Sequence, residues 1–263
     1  MYIDRTGRTL ARRYRKDAKT VISRIRYLVV ALCLLLAALR PAWASDAAAF
    51  DAQVDEAQAG YRAALFYART GNPALAGIEL RQAQAVWDEI GAKYGTNPPK
   101  AYAKDRKFAA DLKEITARIA KGADLLDDER GKAARRELAP VRGLVYGLRE
   151  RAGRKGYSEC VTDLNRHMDV LFKWRRDAPD FSQPGVADAV MQAALKYRDI
   201  LRRCRALAPE YYRKAADFAR IYDGADISIS SMPAAVERKD SLGVVNILRE
   251  LRSFDRILYF KLG

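Results

Sequence analysis

Residues 157–174, YSECVTDLNRHMDVLFKW, and residues 189–204, AVMQAALKYRDILRRC, decide the reading of this chain. In the first, Cys160, Leu164, His167 with Met168, Leu171 and Trp174 recur at helical spacing; in the second, Val190, Ala194, Tyr197, Leu201 and Cys204 do the same. Each segment therefore predicts an amphipathic helix with a cysteine on its apolar stripe. The intervening RRDAPDFSQPGV carries prolines and aspartates that break both helices and turn the chain back. With the turn centred near Ser182, Cys160 lies 22 residues before it and Cys204 lies 22 after. In an antiparallel hairpin the two face each other at one level, and by the same register Tyr197 lies opposite His167.

Working outward, the rest of the chain repeats this pattern. A first helix is expected from about Asp46 to Arg69, with Phe50, Val54, Ala57, Tyr61, Leu65 and Ala68 on one stripe. Asn72-Pro73 suits the cap and first position of a second helix, which ends at YGTNPPK. A third is expected from about Tyr102 to Lys121. A fourth is expected from Asp127 or Asp128 to Arg151, kinked or divided by Pro140. After the glycines of AGRKG the hairpin follows. Pro209 then opens a helix that Asp223-Gly224 closes. ADISISSMPAAVERK reads as irregular with one short helix after Pro233, ISIS at 227–230 being the only strand-like run. Asp240-Ser241 starts the last helix, with Val244, Leu248, Leu251, Phe254 and Leu258 among its stripe. The chain thus predicts an all-α fold of antiparallel helical bundles, two successive groups of about four helices spanning 45–155 and 156–263. A single continuous array would show the same periodicities.

The N-terminus speaks to compartment. Nine Lys and Arg residues precede Tyr27, the 13-residue apolar run YLVVALCLLLAAL occupies 27–39, and Ala42-Trp43-Ala44 is a small-x-small cleavage signature. Residues 1–44 read as a signal peptide cut after Ala44, which exports the protein to the periplasm or beyond. An uncleaved membrane anchor is the alternative, but thirteen apolar residues fall short of the roughly 20 that span a bilayer. A start near Val21 would give the leader a conventional short head. Cys33 leaves with the leader, and Cys160 and Cys204 remain as an even pair suited to a disulfide in an oxidising compartment.

The formal charge of +15 falls to +7 once the leader's share is removed. Clusters such as Arg149, Arg151, Arg154 and Lys155 fit an acidic partner or surface, or simply a solvated helix face, and export argues against nucleic acid. Tyr102, Tyr157, Tyr211 and Tyr212 are candidates for exposed recognition aromatics. Asp124, Asp127, Asp128 and Glu129 read as the acidic start of a helix. Asp255, beside the last stripe, needs a partner such as Arg252 or Arg256.

Exported, alanine-rich, Tyr- and Trp-containing bundles of this kind resemble the cytochrome c′ and cytochrome b562 class. The resemblance implies a four-helix bundle fold; the family's non-covalent haem would need Met191 or Met232 opposite His167, since adjacent Met168 cannot occupy the other haem face. The fold class therefore carries over without a haem site, and a haem or copper electron-transfer contact at His167 and Met168 is the alternative reading. The covalent motif C-x-x-C-H is missing, since Cys160 precedes the single histidine by seven residues. Seven residues rise about 10.5 Å along a helix, too far for Cys160 and His167 to share one ion. The bland reading of His167-Met168 is an imidazole hydrogen-bonded to Tyr197 with Met168 filling the core. No Gly-rich phosphate loop, nucleophile elbow or paired carboxylate motif nominates a catalytic centre. The expectation is a non-enzymatic exported bundle that binds a protein partner or small ligand without a cofactor.

Overall fold

The structure is a computed structural model that describes residues 42–262. The charged head, the apolar run and Cys33 of the leader lie outside the described residues. All regular structure among the described residues is helical. Eleven helices run α1 Ala42–Thr70, α2 Pro73–Tyr94, α3 Phe108–Asp127, α4 Gly131–Leu138, α5 Val141–Arg151, α6 Tyr157–Arg176, α7 Val186–Leu207, α8 Glu210–Arg213, α9 Ala216–Ser230, α10 Met232–Glu237 and α11 Ser241–Ile257. A wider π-helical turn, Leu258–Leu262, closes the described chain.

Local signals place several boundaries where the sequence predicts them. The Asn72 side chain accepts from the Leu75 N–H with Pro73 at the first position of α2, and Asp240 accepts from Gly243 N–H at the start of α11. Pro140 divides α4 from α5. Three expectations fail. The third helix starts at Phe108 and runs on to Asp127, so Asp124 and Asp127 end a helix instead of beginning one; Arg81 of α2 clamps both carboxylates. ISIS is helical, the end of α9. Gly224 lies inside α9 instead of terminating it, because a Cβ there would overlap the Phe254 ring. The glycine is needed for close helix approach, which a cap reading cannot anticipate.

Neighbouring helices touch in opposite order along the chain. Gly77 meets Asp127 and Gly91 meets Thr116 across α2 and α3; Gly122 abuts Leu138 while Arg151 reaches Asp111 across α3 and α4–α5. The order recurs at α5–α6, where Arg149 meets Glu159 and Arg142 meets Asn165, and at α9–α11, where Gly224 meets Phe254 and Ser228 meets Ile247. Apolar side chains gather into two cores. Phe50, Tyr61, Leu80, Trp87, Ile115 and Leu138 lie in the first; Leu164, Met168, Tyr197, Ile221, Leu248 and Leu251 lie in the second. Burying each such large side chain contributes about 1.5–3 kcal/mol. From Ala49 onward the chain forms one compact unit, in which α5 lines the first core and α6 the second.

Candidate functional site

Cys160 near the start of α6 and Cys204 near the end of α7 form a disulfide, with Cα atoms 5.5 Å apart. Both cysteines are buried. The bridge therefore closes the hairpin from inside.

His167 and Met168 sit on α6 in different settings. His167 Nδ1 lies 2.9 Å from the Asp163 carbonyl oxygen one turn earlier, and Met168 is wholly buried in the second core. Tyr197 is not the partner of His167. Its hydroxyl is buried without a hydrogen bond, and the histidine bonds a carbonyl of its own helix instead. No group of three or more His, Cys, Asp or Glu side chains able to hold a metal ion occurs among the described residues.

The seam between α1, α5 and α6 is polar and buried. Arg149, in the last turn of α5, is 3% exposed and was expected on a solvated face. Its guanidinium bonds Asp55 at 2.7 Å, Glu159 at 3.2 Å and the Asp51 carbonyl at 2.7 Å. Burial alone would lower its pKa, but Glu159, Asp55 and Asp51 outweigh it and hold the cation above its ordinary value. Arg154 bonds Asp51 at 2.6 Å, and the Tyr102 hydroxyl donates to the same carboxylate. Tyr102 is thus a core anchor with no surface exposed, its pKa raised by burial and then by Asp51.

Asp51, Asp55, Arg149 and Arg154 wall a cavity of about 240 Å³ whose lining includes Tyr211 and Tyr212. Asp51, Asp55 and Arg62 of α1 line it together, at helical offsets of four and seven that place them on one face. The α6 N-terminus contributes Gly156, Tyr157 and Ser158. Tyr157 is buried, bonded to the Tyr222 hydroxyl at 3.1 Å and packed on Tyr212; Tyr211 is 62% exposed. Arg62 is 5% exposed, and its only hydrogen bond among the described residues goes to the Tyr212 hydroxyl at 3.4 Å. Its Nε has no partner, and no carboxylate pairs with it among the described residues.

A second concavity lies between the end of α1 and the end of α11. It is a groove of about 430 Å³ lined by Phe66, Tyr67 and Phe260 on its apolar walls and by Arg69, Arg256 and Lys261 at its edge. Phe66 is 44% exposed. Lys261 pairs with Asp217, whereas Arg69 lies over the Phe260 ring and Arg256 has no ion pair among the described residues. Partial desolvation and then the crowding of Arg69, Arg252 and Arg175 hold Arg256 below its ordinary pKa. No acidic side chain lines the groove.

Deeper in the seam, Arg142 donates to Thr162 at 2.9 Å and to Asn165, and stacks on Tyr259 at 3.9 Å. Asn165 in turn donates to Asp255 at 2.7 Å, and Arg252 reaches the other carboxylate oxygen at 3.3 Å. The partner expected for Asp255 is therefore Arg252. The sequence reading passed over Asp51, Asp55 and Arg62, which follow the rule for a solvated face; their shared helical offset was the available signal.

No family model and no solved structure matches the chain. A glucose-1-phosphate adenylyltransferase of Pectobacterium carotovorum is 30% identical over 111 residues, which is 38% of this chain and 25% of that enzyme. The chain thus spans about a quarter of the length of the curated relative it matches, and the likeness is a partial one.

Proposed function

We propose that this is an exported, non-enzymatic helical binding protein whose partner is an acidic protein segment with an apolar anchor. The groove between α1 and α11 carries this reading. It combines solvent-exposed aromatic surface with arginines that have no paired carboxylate among the described residues, an arrangement that favours a partner supplying both an apolar side chain and negative charge. Export is supported by the disulfide, a bond that persists in oxidising compartments, and by the leader's sequence pattern. No helix among the described residues is long and apolar enough to cross a membrane.

A photo-crosslinking amino acid at Phe66, in protein expressed in its own cell envelope, tests the reading. A discrete adduct is expected that disappears with Arg69→Glu and Arg256→Glu, while the same probe at Ile227 or Leu242, both 70% exposed, gives none. Adducts of equal yield at all three positions, or none at Phe66, would sink the proposal. A haem- or copper-associated reading through His167 would instead require a visible absorption band in the purified protein.

A further inference from the structure

Three carboxylates and three arginines meet around the seam cavity, but the carboxylates pair with only two of the arginines. Asp55 and Glu159 are taken up by Arg149, and Asp51 by Arg154, Arg149 and Tyr102. Arg62 lines the same cavity, nine-tenths buried, with one tyrosine hydroxyl as its only hydrogen-bond partner among the described residues. A buried guanidinium without a counter-charge is costly, and an anion beside it removes that cost. The first turn of α6 independently favours the same sign. Its backbone N–H groups have no acceptors within the helix, and its dipole places partial positive charge at Tyr157 and Ser158. Glu159 closes one of these by bonding Gly156 N–H at 2.8 Å. The remaining wall, Tyr157, Tyr211, Tyr212, Leu207 and Pro209, is largely ring and hydrocarbon. At about 240 Å³ the space is below the roughly 300–1,000 Å³ of pockets that take drug-sized ligands.

We propose that this cavity binds a small organic acid, its carboxylate held by Arg62 and the α6 N-terminus and its apolar or aromatic body held among the tyrosines. Arg62 is the anchor, Ser158 and the first N–H groups of α6 orient the carboxylate, and Tyr211 covers the mouth. Asp51 and Asp55, already paired, set the limit on charge: a monoanion is accommodated and a multiply charged phosphate is repelled. The site is separate from the groove and stands or falls without it.

The test uses the full disulfide-bonded protein with benzoate as probe, titrated calorimetrically at constant ionic strength beside benzyl alcohol and inorganic phosphate. Saturable 1:1 benzoate binding is expected, at least about tenfold tighter than either comparison ligand, with a thermal midpoint that rises as benzoate is added. Arg62→Met is expected to lose the benzoate response at least about tenfold while remaining folded by circular dichroism. Ser158→Glu, which sets a fixed carboxylate in the first turn of α6, is expected to exclude benzoate and serves if the Arg62 variant does not fold. The proposal is overturned if benzoate does not saturate, if benzyl alcohol or phosphate binds as well, or if either folded variant binds benzoate like the parent.

Discussion

Asp255 is 2% exposed, and burial pushes its pKa up to about 6 although Asn165, Arg252 and Arg142 all favour the ionised form. Asp169, on α6, adds to the upward shift. Because the folded protein holds this proton more tightly than an unfolded chain near 3.8, the group's contribution to stability falls as pH rises through that window and levels off above about 6. Asp255→Asn should remove this slope. The difference in unfolding free energy between parent and variant, measured by denaturant titration from pH 4 to 7, should change by on the order of 2 kcal/mol. Parallel curves would show that the carboxylate is not strained. Tyr197 makes the opposite case. Its hydroxyl is buried and unpartnered, so Tyr197→Phe should leave stability unchanged or raise it by up to about 1 kcal/mol. A loss above that would reveal a bond to the hydroxyl.

At the scale of elements, the α9–α11 and α5–α6 contacts are set by quite different forces. Gly224 lets α9 approach Phe254, and Gly224→Ala should cost about 1–3 kcal/mol through overpacking, with Phe254→Leu recovering part of it. Additive losses in the double variant would refute the contact. Across α5 and α6 the buried Arg149–Glu159 pair is decisive. Arg149→Met should cost about 3–5 kcal/mol, because Glu159 is left charged and buried, and Glu159→Gln added to it should return a measurable part. Equilibrium unfolding of the four proteins gives the coupling directly. Sequence periodicity marks α5 and α6 as helices but is silent on which polar residues turn inward.

For the whole molecule, the disulfide is the longest covalent constraint within the described residues. Cys160 and Cys204 are 44 residues apart, and constraining that loop in the unfolded chain is worth roughly 3–4 kcal/mol by the chain-entropy argument. Reduced protein, or Cys160→Ala with Cys204→Ala, should unfold at correspondingly lower denaturant concentration. Coincident curves for oxidised and reduced protein would leave the bridge without a stabilising role. Since the second core holds both cysteines and the seam ties it to the first, Trp87 within the first core and Trp174 against the second should report whether reduction uncouples the two.

Much of this architecture was legible because helices advertise themselves locally. The apolar stripes, Asn72-Pro73, Pro140 and Asp240 act within a turn or two, and the antiparallel register of one hairpin follows from counting residues about Ser182. These features determined the helical class and the pairing of Cys160 with Cys204. Only the tertiary structure decided that Arg149 and Tyr102 are buried, that Gly224 marks a crossing, and that Arg62 stands without an ion pair among the described residues beside the α6 N-terminus. The reason is physical. Hydrogen bonding and periodicity along a helix depend on near neighbours in sequence, whereas the burial of a charge depends on side chains that arrive from as far as 98 or 150 residues away.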